Sequence, residues 1–138
     1  MTDPTPTFET EIAVRYRDLD TYSHVNNAVY ATYVEQARLA YLTTVLDAET
    51  PRDLSIVIAE LTVEFHAPIA GRTTVRAGVA VTDVGETSFE MRFELHTDDE
   101  LAATARSTQV HIDRQSGRSR ALPARWRDRF GAFEEHLD

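Results

Sequence analysis

Residues 15–41, RYRDLDTYSHVNNAVYATYVEQARLAY, decide how the rest of this 138-residue chain is arranged. The first part is rich in Asp, Asn, Ser and Thr, which form turns and caps rather than regular strands or helices. The second part is helical, because apolar residues recur at spacings of three and four and give one apolar face: Tyr30, Val34, Ala37, Tyr41 and Val45. The pattern predicts a helix from Asn26 to about Leu46, about 30 Å long. A helix of that length in so short a chain predicts a core around which a sheet wraps.

The junction between the turn and the helix suggests chemistry. Asn26 or Asn27 can cap the helix, which leaves unpaired amides at the positive end of the helix dipole. Such amides can hold an oxygen that becomes negative during a reaction. Asp20 lies a few residues upstream, and a carboxylate beside backbone donors is a minimal acyl-transfer site. The alternative is that Asp20 only caps a turn and Asn26 only caps the helix.

The same segment carries a motif with fixed spacing. It comprises the pair Asp18 and Asp20, the string His24-Val25-Asn26-Asn27, and the helical positions Tyr30, Tyr33, Glu35 and Arg38. This pattern resembles the signature of hotdog-fold acyl-CoA thioesterases of the 4-hydroxybenzoyl-CoA thioesterase type, and it is also similar to the matching segment of acyl-ACP thioesterases. Together with the strands that follow, the resemblance covers roughly residues 8–123.

The resemblance implies an acyl-CoA thioesterase that releases a free carboxylic acid and CoA. The second aspartate of the pair, Asp20, then corresponds to the catalytic carboxylate, and the Asn27 N–H corresponds to the donor that polarises the thioester carbonyl. The residues expected to line the mouth of the site or to shape the acyl pocket are His24, Val25, Asn26 and Tyr30. Coenzyme A enters only as part of the substrate, so no cofactor is expected.

Other features of the family have partial counterparts here. The resemblance implies at least a homodimer, or a homotetramer, with sheets joined edge to edge and each site at the interface. In some members basic residues in a hairpin turn bind the CoA phosphates, but residues 85–88 read Gly-Glu-Thr-Ser. The remaining candidates for that charge are Arg72, Arg92, Arg106, Arg114, Arg118 and Arg120.

Alternative assignments of the site remain open. Glu35 is a second candidate carboxylate, although Arg38 at i+3 suits a structural ion pair. If the segment is extended, Asp18 points to the side opposite Asp20. His24 near Asp20 would also suit a dehydratase or hydratase acting on acyl thioesters, and a non-catalytic module that binds an acyl thioester is a further possibility.

The flanking residues predict a sheet and a second helix. Alternating polar and apolar residues predict strands at 8–16, 61–65, 75–81, 89–95 and 101–112. Short turns between neighbours predict an antiparallel meander. Aromatic spacing predicts a short helix within 123–137, which packs on the domain or a neighbouring subunit, or covers the substrate as a lid. The prediction is a single α+β domain over residues 1–138, a five-stranded antiparallel hotdog sheet around one long helix, with residues 1–7 as a flexible arm.

Composition limits the partners. A net charge of -9 argues against nucleic acid or an anionic membrane, and it makes an acidic acyl-carrier protein a less attractive substrate than CoA. The chain contains no cysteine, and its five histidines are scattered, so no metal site is expected. No secretion signal is recognised at the N-terminus, which favours the cytoplasm. The lysine-free acidic composition fits a salt-adapted organism or a GC-rich genome, and the acyl group, the order of the oligomer and the role of Asp20 as nucleophile or base stay open.

Overall fold

Five antiparallel strands form one sheet that wraps around a long helix. The computed structural model describes residues 5–71, 73–98 and 100–137. Its elements are β1 (Phe8–Ala13), α1 (Asn27–Val45), β2 (Ile56–Phe65), β3 (Thr74–Val84), β4 (Ser88–His96), β5 (Leu101–His111) and α2 (Ala124–Phe133). The strand order is β1-β3-β4-β5-β2, which confirms the predicted α+β hotdog architecture.

Helix α1 agrees closely with the sequence pattern. Asn26 caps its start by accepting the Ala28 N–H at 2.9 Å, and Leu46 follows its last residue. The predicted apolar face is buried, together with further residues of the same helix: Tyr30, Tyr33, Val34, Ala37, Tyr41, Leu42 and Val45. Burial of side chains of this size contributes about 1.5–3 kcal/mol each, so the helix face supplies much of the core free energy.

The sheet presents its inner face to this helix. In the central strand β4, Phe89, Met91, Phe93 and Leu95 are buried, and the polar residues between them face outward. Strands β3, β4 and β5 follow one another as the predicted meander. Strand β2 does not, because among the described strands its one partner is β5, at the far edge of the sheet.

Strand β1 ends at Ala13 rather than at Tyr16, because Tyr16–Asp18 form a short 3-10 helix. Strand β2 also departs from its predicted pattern. The strand starts at Ile56, before the alternating residues on which its prediction rested. Phe65, expected on a buried face, is 49% exposed. An edge strand lacks a neighbour on one side, so its side chains are covered less completely than those of a central strand.

Helix α2 packs on the domain through the buried Trp126 and Phe130. It ends at Phe133 rather than near residue 137, because Glu134 adopts an extended conformation and its carboxylate is fully buried. Thr7, within the arm predicted for residues 1–7, donates a hydrogen bond to Glu134 at 2.7 Å. Residues 1–4 of that arm lie outside the described residues.

Candidate functional site

The Asp-x-Asp segment and the residues that cap α1 form a short hairpin. The Asn26 N–H donates to the Asp18 carbonyl at 2.9 Å, and the Asp20 N–H donates to the His24 carbonyl at 2.7 Å. The tip contains Ser23 with φ 61°, in the left-handed region that a tight turn requires. Asp18 therefore lies at the base of the hairpin beside the helix, and Asp20 lies about 7 Å further along it.

The carboxylate of Asp20 is exposed and caps its own turn. Its Oδ1 accepts the N–H groups of Tyr22 at 2.8 Å and His24 at 3.2 Å. Its Oδ2 accepts no hydrogen bond from the part of the chain that the structure describes. The turn-capping alternative is thus observed, and it occupies one oxygen while the second stays accessible to a substrate or to water.

The start of α1 carries an unpaired amide. The cap Asn26 accepts the N–H of Ala28 on its side chain and the N–H of Val29, at 2.8 Å, on its carbonyl. The Asn27 N–H has no acceptor among residues 5–71, 73–98 and 100–137. It therefore remains a donor at the positive end of the helix dipole.

Asp18 is buried although Asp20 is exposed, and the chain at Asp18 is not extended, because Tyr16–Asp18 form a short 3-10 helix. It is only 2% exposed, and its Oδ2 accepts the Tyr33 hydroxyl at 2.7 Å and the Arg15 N–H at 2.9 Å. The Arg15 guanidinium donates to Oδ1 at 3.1 Å. Burial raises the pKa of Asp18, but the hydrogen bonds from Tyr33 and Arg15 outweigh burial and hold it below its ordinary value. Burial and the bond to Asp18 raise the pKa of Tyr33.

Sequence reasoning did not identify the connection between Asp18 and Tyr33. Both residues belong to the motif, and the signal that could have revealed their connection is that both polar side chains are buried. Asp18 precedes the exposed Asp20 by two residues, and Tyr33 lies on the buried face of α1. A buried carboxylate requires a donor, and a buried tyrosine hydroxyl requires an acceptor.

The remaining candidates are divided between surface and core. His24 is exposed, whereas Val25 is buried and donates its N–H to the Ile69 carbonyl at 2.8 Å. Tyr30 is buried and packs edge-to-face on Phe65, with ring centroids 4.8 Å apart. Burial raises the pKa of Tyr30, and a hydrogen bond with the Ile69 backbone opposes that effect.

The second candidate carboxylate, Glu35, lies outside this junction. It is exposed in the middle of α1, and Arg38 lies 3.9 Å away as the predicted ion-pair partner. Burial lowers the pKa of Arg38, and the nearby Glu35 opposes that effect.

A cleft of about 740 Å³ lies beside the hairpin, in the size range of small-molecule sites. Tyr16 and Tyr22 flank it and are 93% and 81% exposed. Gly71 leaves room for the side chain of Leu19, because a Cβ at residue 71 would lie 2.8 Å from Leu19 Cδ1. The cleft is lined by Val14, Arg15, Tyr16, Leu19, Tyr22, Ser23, His24, Ala70 and Gly71.

Possible phosphate ligands are scattered. Arg92 and Arg106 lie opposite each other on the neighbouring strands β4 and β5, and Arg92 also forms an ion pair with Glu94. Arg114, Arg118 and Arg120 are exposed in the segment after β5, and Arg72 lies outside the described residues. Within the described ranges, no three or more His, Asp or Glu side chains form a group that could hold a metal ion. None of the described helices is long and apolar enough to span a membrane.

Comparisons with known proteins agree with this fold and motif. A thioesterase from Thermus thermophilus, solved with coenzyme A and zinc, is 32% identical and superposes with a TM-score of 0.85 over 94% of this chain and 96% of its own. A chloroplastic acyl-acyl carrier protein thioesterase of Arabidopsis thaliana is 29% identical over 94% of this chain and 71% of its own length. The long-chain acyl-CoA thioesterase FadM of Escherichia coli is 25% identical over 88% of this chain and 95% of its length. The family model of the thioesterase-like superfamily matches residues 14–130, and the chain therefore belongs to that superfamily of thioester hydrolases.

Proposed function

We propose that this thioester hydrolase cleaves acyl-CoA to a free carboxylic acid and CoA, with Asp20 as the catalytic carboxylate and the Asn27 N–H as the oxyanion donor. One observation carries the proposal. Among the residues that the structure describes, a carboxylate oxygen without a donor and a helix-terminal amide without an acceptor belong to the same hairpin–helix junction. These are the two groups that acyl transfer needs on either side of a carbonyl carbon.

The reaction follows from these two groups. The Asn27 N–H and the helix dipole stabilise the negative charge that develops on the thioester oxygen. Asp20 either attacks the carbonyl carbon to give a mixed anhydride that water then hydrolyses, or removes a proton from the attacking water. The C–S bond breaks with the electron pair on sulfur, and the thiolate of CoA leaves. Because that thiolate is a stable leaving group, no strong general acid is required.

The cleft beside the hairpin is the proposed place for the substrate, although Asp20 and Asn27 are not among the residues that line it. His24 lines it and lies on the same hairpin as Asp20. The proposal places the substrate along the cleft, with Asn26 and Tyr30 near the start of α1 and Val25 supporting the hairpin from the core. We also propose that the enzyme acts in the cytoplasm, a compartment in which acyl-CoA substrates are available.

An acyl-carrier protein is the second candidate carrier of the acyl group, because the similar Arabidopsis thaliana protein is named for that substrate. The net charge of -9 opposes it, since carrier proteins are acidic and two acidic surfaces repel. The two substrates can be distinguished by measuring hydrolysis of the same acyl group attached to CoA and attached to a carrier protein, each at low and at high salt. We expect higher kcat/KM on CoA, with the carrier-protein ester gaining as salt screens repulsion. Faster hydrolysis of the carrier-protein ester at low salt would reverse the choice.

The rival activities make different demands on the site. A hydratase would pair a histidine with an acid, but the His24 ring makes no hydrogen bond to Asp20 in the described part of the chain. Hydration of an enoyl-CoA without thiol release would favour that reaction. A non-catalytic module would release no thiol from any member of a panel of short, long, branched and aromatic acyl-CoA substrates, which is also the panel that identifies the acyl group.

We further propose that the protein is a homodimer, or a dimer of dimers, formed through the open edge of β2. This strand exposes the large apolar side chains of Val57, Ile58 and Phe65. An exposed apolar edge strand is a template for pairing with another chain. Phe65 packs on Tyr30, one turn from Asn27, so a partner at this edge would lie beside the proposed site. Sedimentation or light scattering measures the state directly, and a monomer at micromolar concentration would remove this part of the proposal.

The test of the catalytic assignment is Asp20→Asn, which keeps an oxygen to accept the turn amides but removes the negative charge. We expect kcat to fall by at least about a hundredfold. The chain offers a matched control in Asp113, whose Oδ1 caps another turn by accepting Gln115 N–H at 2.8 Å and Ser116 N–H at 3.2 Å. Asp113→Asn should leave kcat within about twofold of the wild type. Near-normal hydrolysis by Asp20→Asn would remove the assignment.

A further inference from the structure

We propose that Asp18 is the positioning residue of this site: anchored by Tyr33, it fixes the hairpin that carries Asp20 relative to the cap that directs the Asn27 N–H. The inference rests on the proposed function, because it concerns how the same two groups are held.

The contacts of Asp18 close a ring. Its side chain accepts the hydroxyl of Tyr33 on the second turn of α1. Its carbonyl accepts the N–H of Asn26, the residue that caps the first turn of the same helix. The helix from Asn26 to Tyr33 completes the ring. A shift of the hairpin relative to the helix therefore breaks one of these two bonds.

The polar character of this anchor is informative. An apolar side chain could fill the space below the hairpin at a lower desolvation cost than a carboxylate. Asp18 instead accepts from the Tyr33 hydroxyl and from the backbone and guanidinium of Arg15, each along its own direction. Fully satisfied buried networks of this kind specify one geometry, which packing alone leaves less well defined.

Such a geometry matters for the proposed reaction. An oxyanion donor and a carboxylate must be held within about 0.5 Å of their productive positions, and a misplacement of about 1 Å can cost about a hundredfold in rate. Within the described part of the chain, Asp20 has no buried contact of its own that could hold it there, since its carboxylate is exposed and its hydrogen bonds there are to the hairpin backbone. The position of Asp20 thus depends on the base of the hairpin, where Asp18 lies.

The test uses Tyr33→Phe, which deletes one hydroxyl and keeps the buried ring. Its matched control is Tyr41→Phe on the same helix, because Tyr41 is also fully buried and donates its hydroxyl to the carboxylate of Glu134 at 2.5 Å. Both variants lose one buried tyrosine–carboxylate bond, so both should lower Tm by a similar few degrees. Only Tyr33→Phe should lower kcat, by about tenfold to a hundredfold, with KM within about twofold. A purely structural role predicts equal kcat for the two variants after correction for the folded fraction, and that result would overturn the proposal.

Amide hydrogen exchange supplies a readout that does not depend on activity. We expect Tyr33→Phe to speed exchange of the Asn26 N–H, and Tyr41→Phe to leave it unchanged. If the wild type hydrolyses no thioester, the proposed function fails while the exchange data still decide whether Asp18 couples the hairpin to the helix. If the wild type is active and Asp20→Asn is not, but Tyr33→Phe equals Tyr41→Phe in both rate and exchange, the positioning role alone fails.

Discussion

The two ends of α1 use the same interaction in different surroundings. At the start of the helix, Tyr33 donates to Asp18, and at its later turns Tyr41 donates to Glu134. Asp18 is balanced by the half-exposed guanidinium of Arg15. Glu134, at 0% exposure, receives the Val81 N–H at 2.8 Å and the Thr7 hydroxyl. One carboxylate is thus held next to solvent and a cleft, and the other is enclosed by the chain.

The surroundings of each pair indicate what it does. Tyr41 lies among aromatic rings, with centroids of Phe8, Phe130 and Phe133 between 5.5 and 6.4 Å away. The Glu134 pair therefore connects the N-terminal segment, β3 and the end of α2 beside this group of aromatic rings. The Asp18 pair holds a hairpin whose other residues are mostly exposed. We infer that the Tyr41–Glu134 pair serves stability alone, and that the Tyr33–Asp18 pair serves both stability and the site.

The largest expected difference between the two ends comes from truncating each carboxylate. Glu134→Ala leaves the Tyr41 hydroxyl and the Val81 N–H unpaired in the core, which costs about 1–3 kcal/mol for each group. We expect a loss of about 2–6 kcal/mol in the free energy of unfolding, measured by urea titration, from a total of about 5–15 kcal/mol. Asp18→Ala should lose a comparable amount.

The two truncated variants, Glu134→Ala and Asp18→Ala, should differ in kcat. We would measure it at low temperature, where both retain folded protein. The folded fraction of Glu134→Ala should keep kcat within about threefold, and that of Asp18→Ala should lose at least about tenfold. An equal loss in both would show that α2 also influences the site, as a substrate lid would, and the contrast between the two ends would be abandoned.

The local features of this contrast could be predicted from the sequence, but the contacts between distant residues could not. The period of α1, the cap at Asn26 and the exposed Asp20 turn followed from local spacing, because each is decided by residues within a few positions of one another. The position of β2 at the sheet edge and the partner of Tyr41 did not follow, because 93 residues separate Tyr41 from Glu134. Even the bond between Asp18 and Tyr33, 15 residues apart, depends on how the hairpin folds back onto the helix.

Asp18 should make the stability of the hairpin end of α1 sensitive to acid. The pKa of Asp18 in the folded protein lies below its ordinary value of 3.8, so its ionised form stabilises the fold. That contribution is fully present above about pH 4 and is lost as pH falls through the lowered pKa. The wild type should therefore exceed Asp18→Asn in unfolding free energy at neutral pH, and the gap should shrink in acid. Urea titrations of both proteins from about pH 7 to about pH 3 measure it, and a gap independent of pH would show that the charge of Asp18 is irrelevant.

The smallest effect concerns two serines in the left-handed region, Ser23 at φ 61° in the hairpin tip and Ser55 at φ 52° before β2. Glycine at either position relieves strain of about 1 kcal/mol but adds a similar entropy to the unfolded chain, so Tm should move little in both variants. The hairpin tip, however, carries the amides that Asp20 caps, and a glycine there widens the range of backbone conformations around the carboxylate. We expect Ser23→Gly to lower kcat about two- to fivefold and Ser55→Gly to leave it unchanged, measured on the acyl-CoA that the wild type hydrolyses best. If both glycines leave kcat unchanged, the anchoring at the base of the hairpin by Asp18 is sufficient to place Asp20, because the tip then contributes nothing to its position.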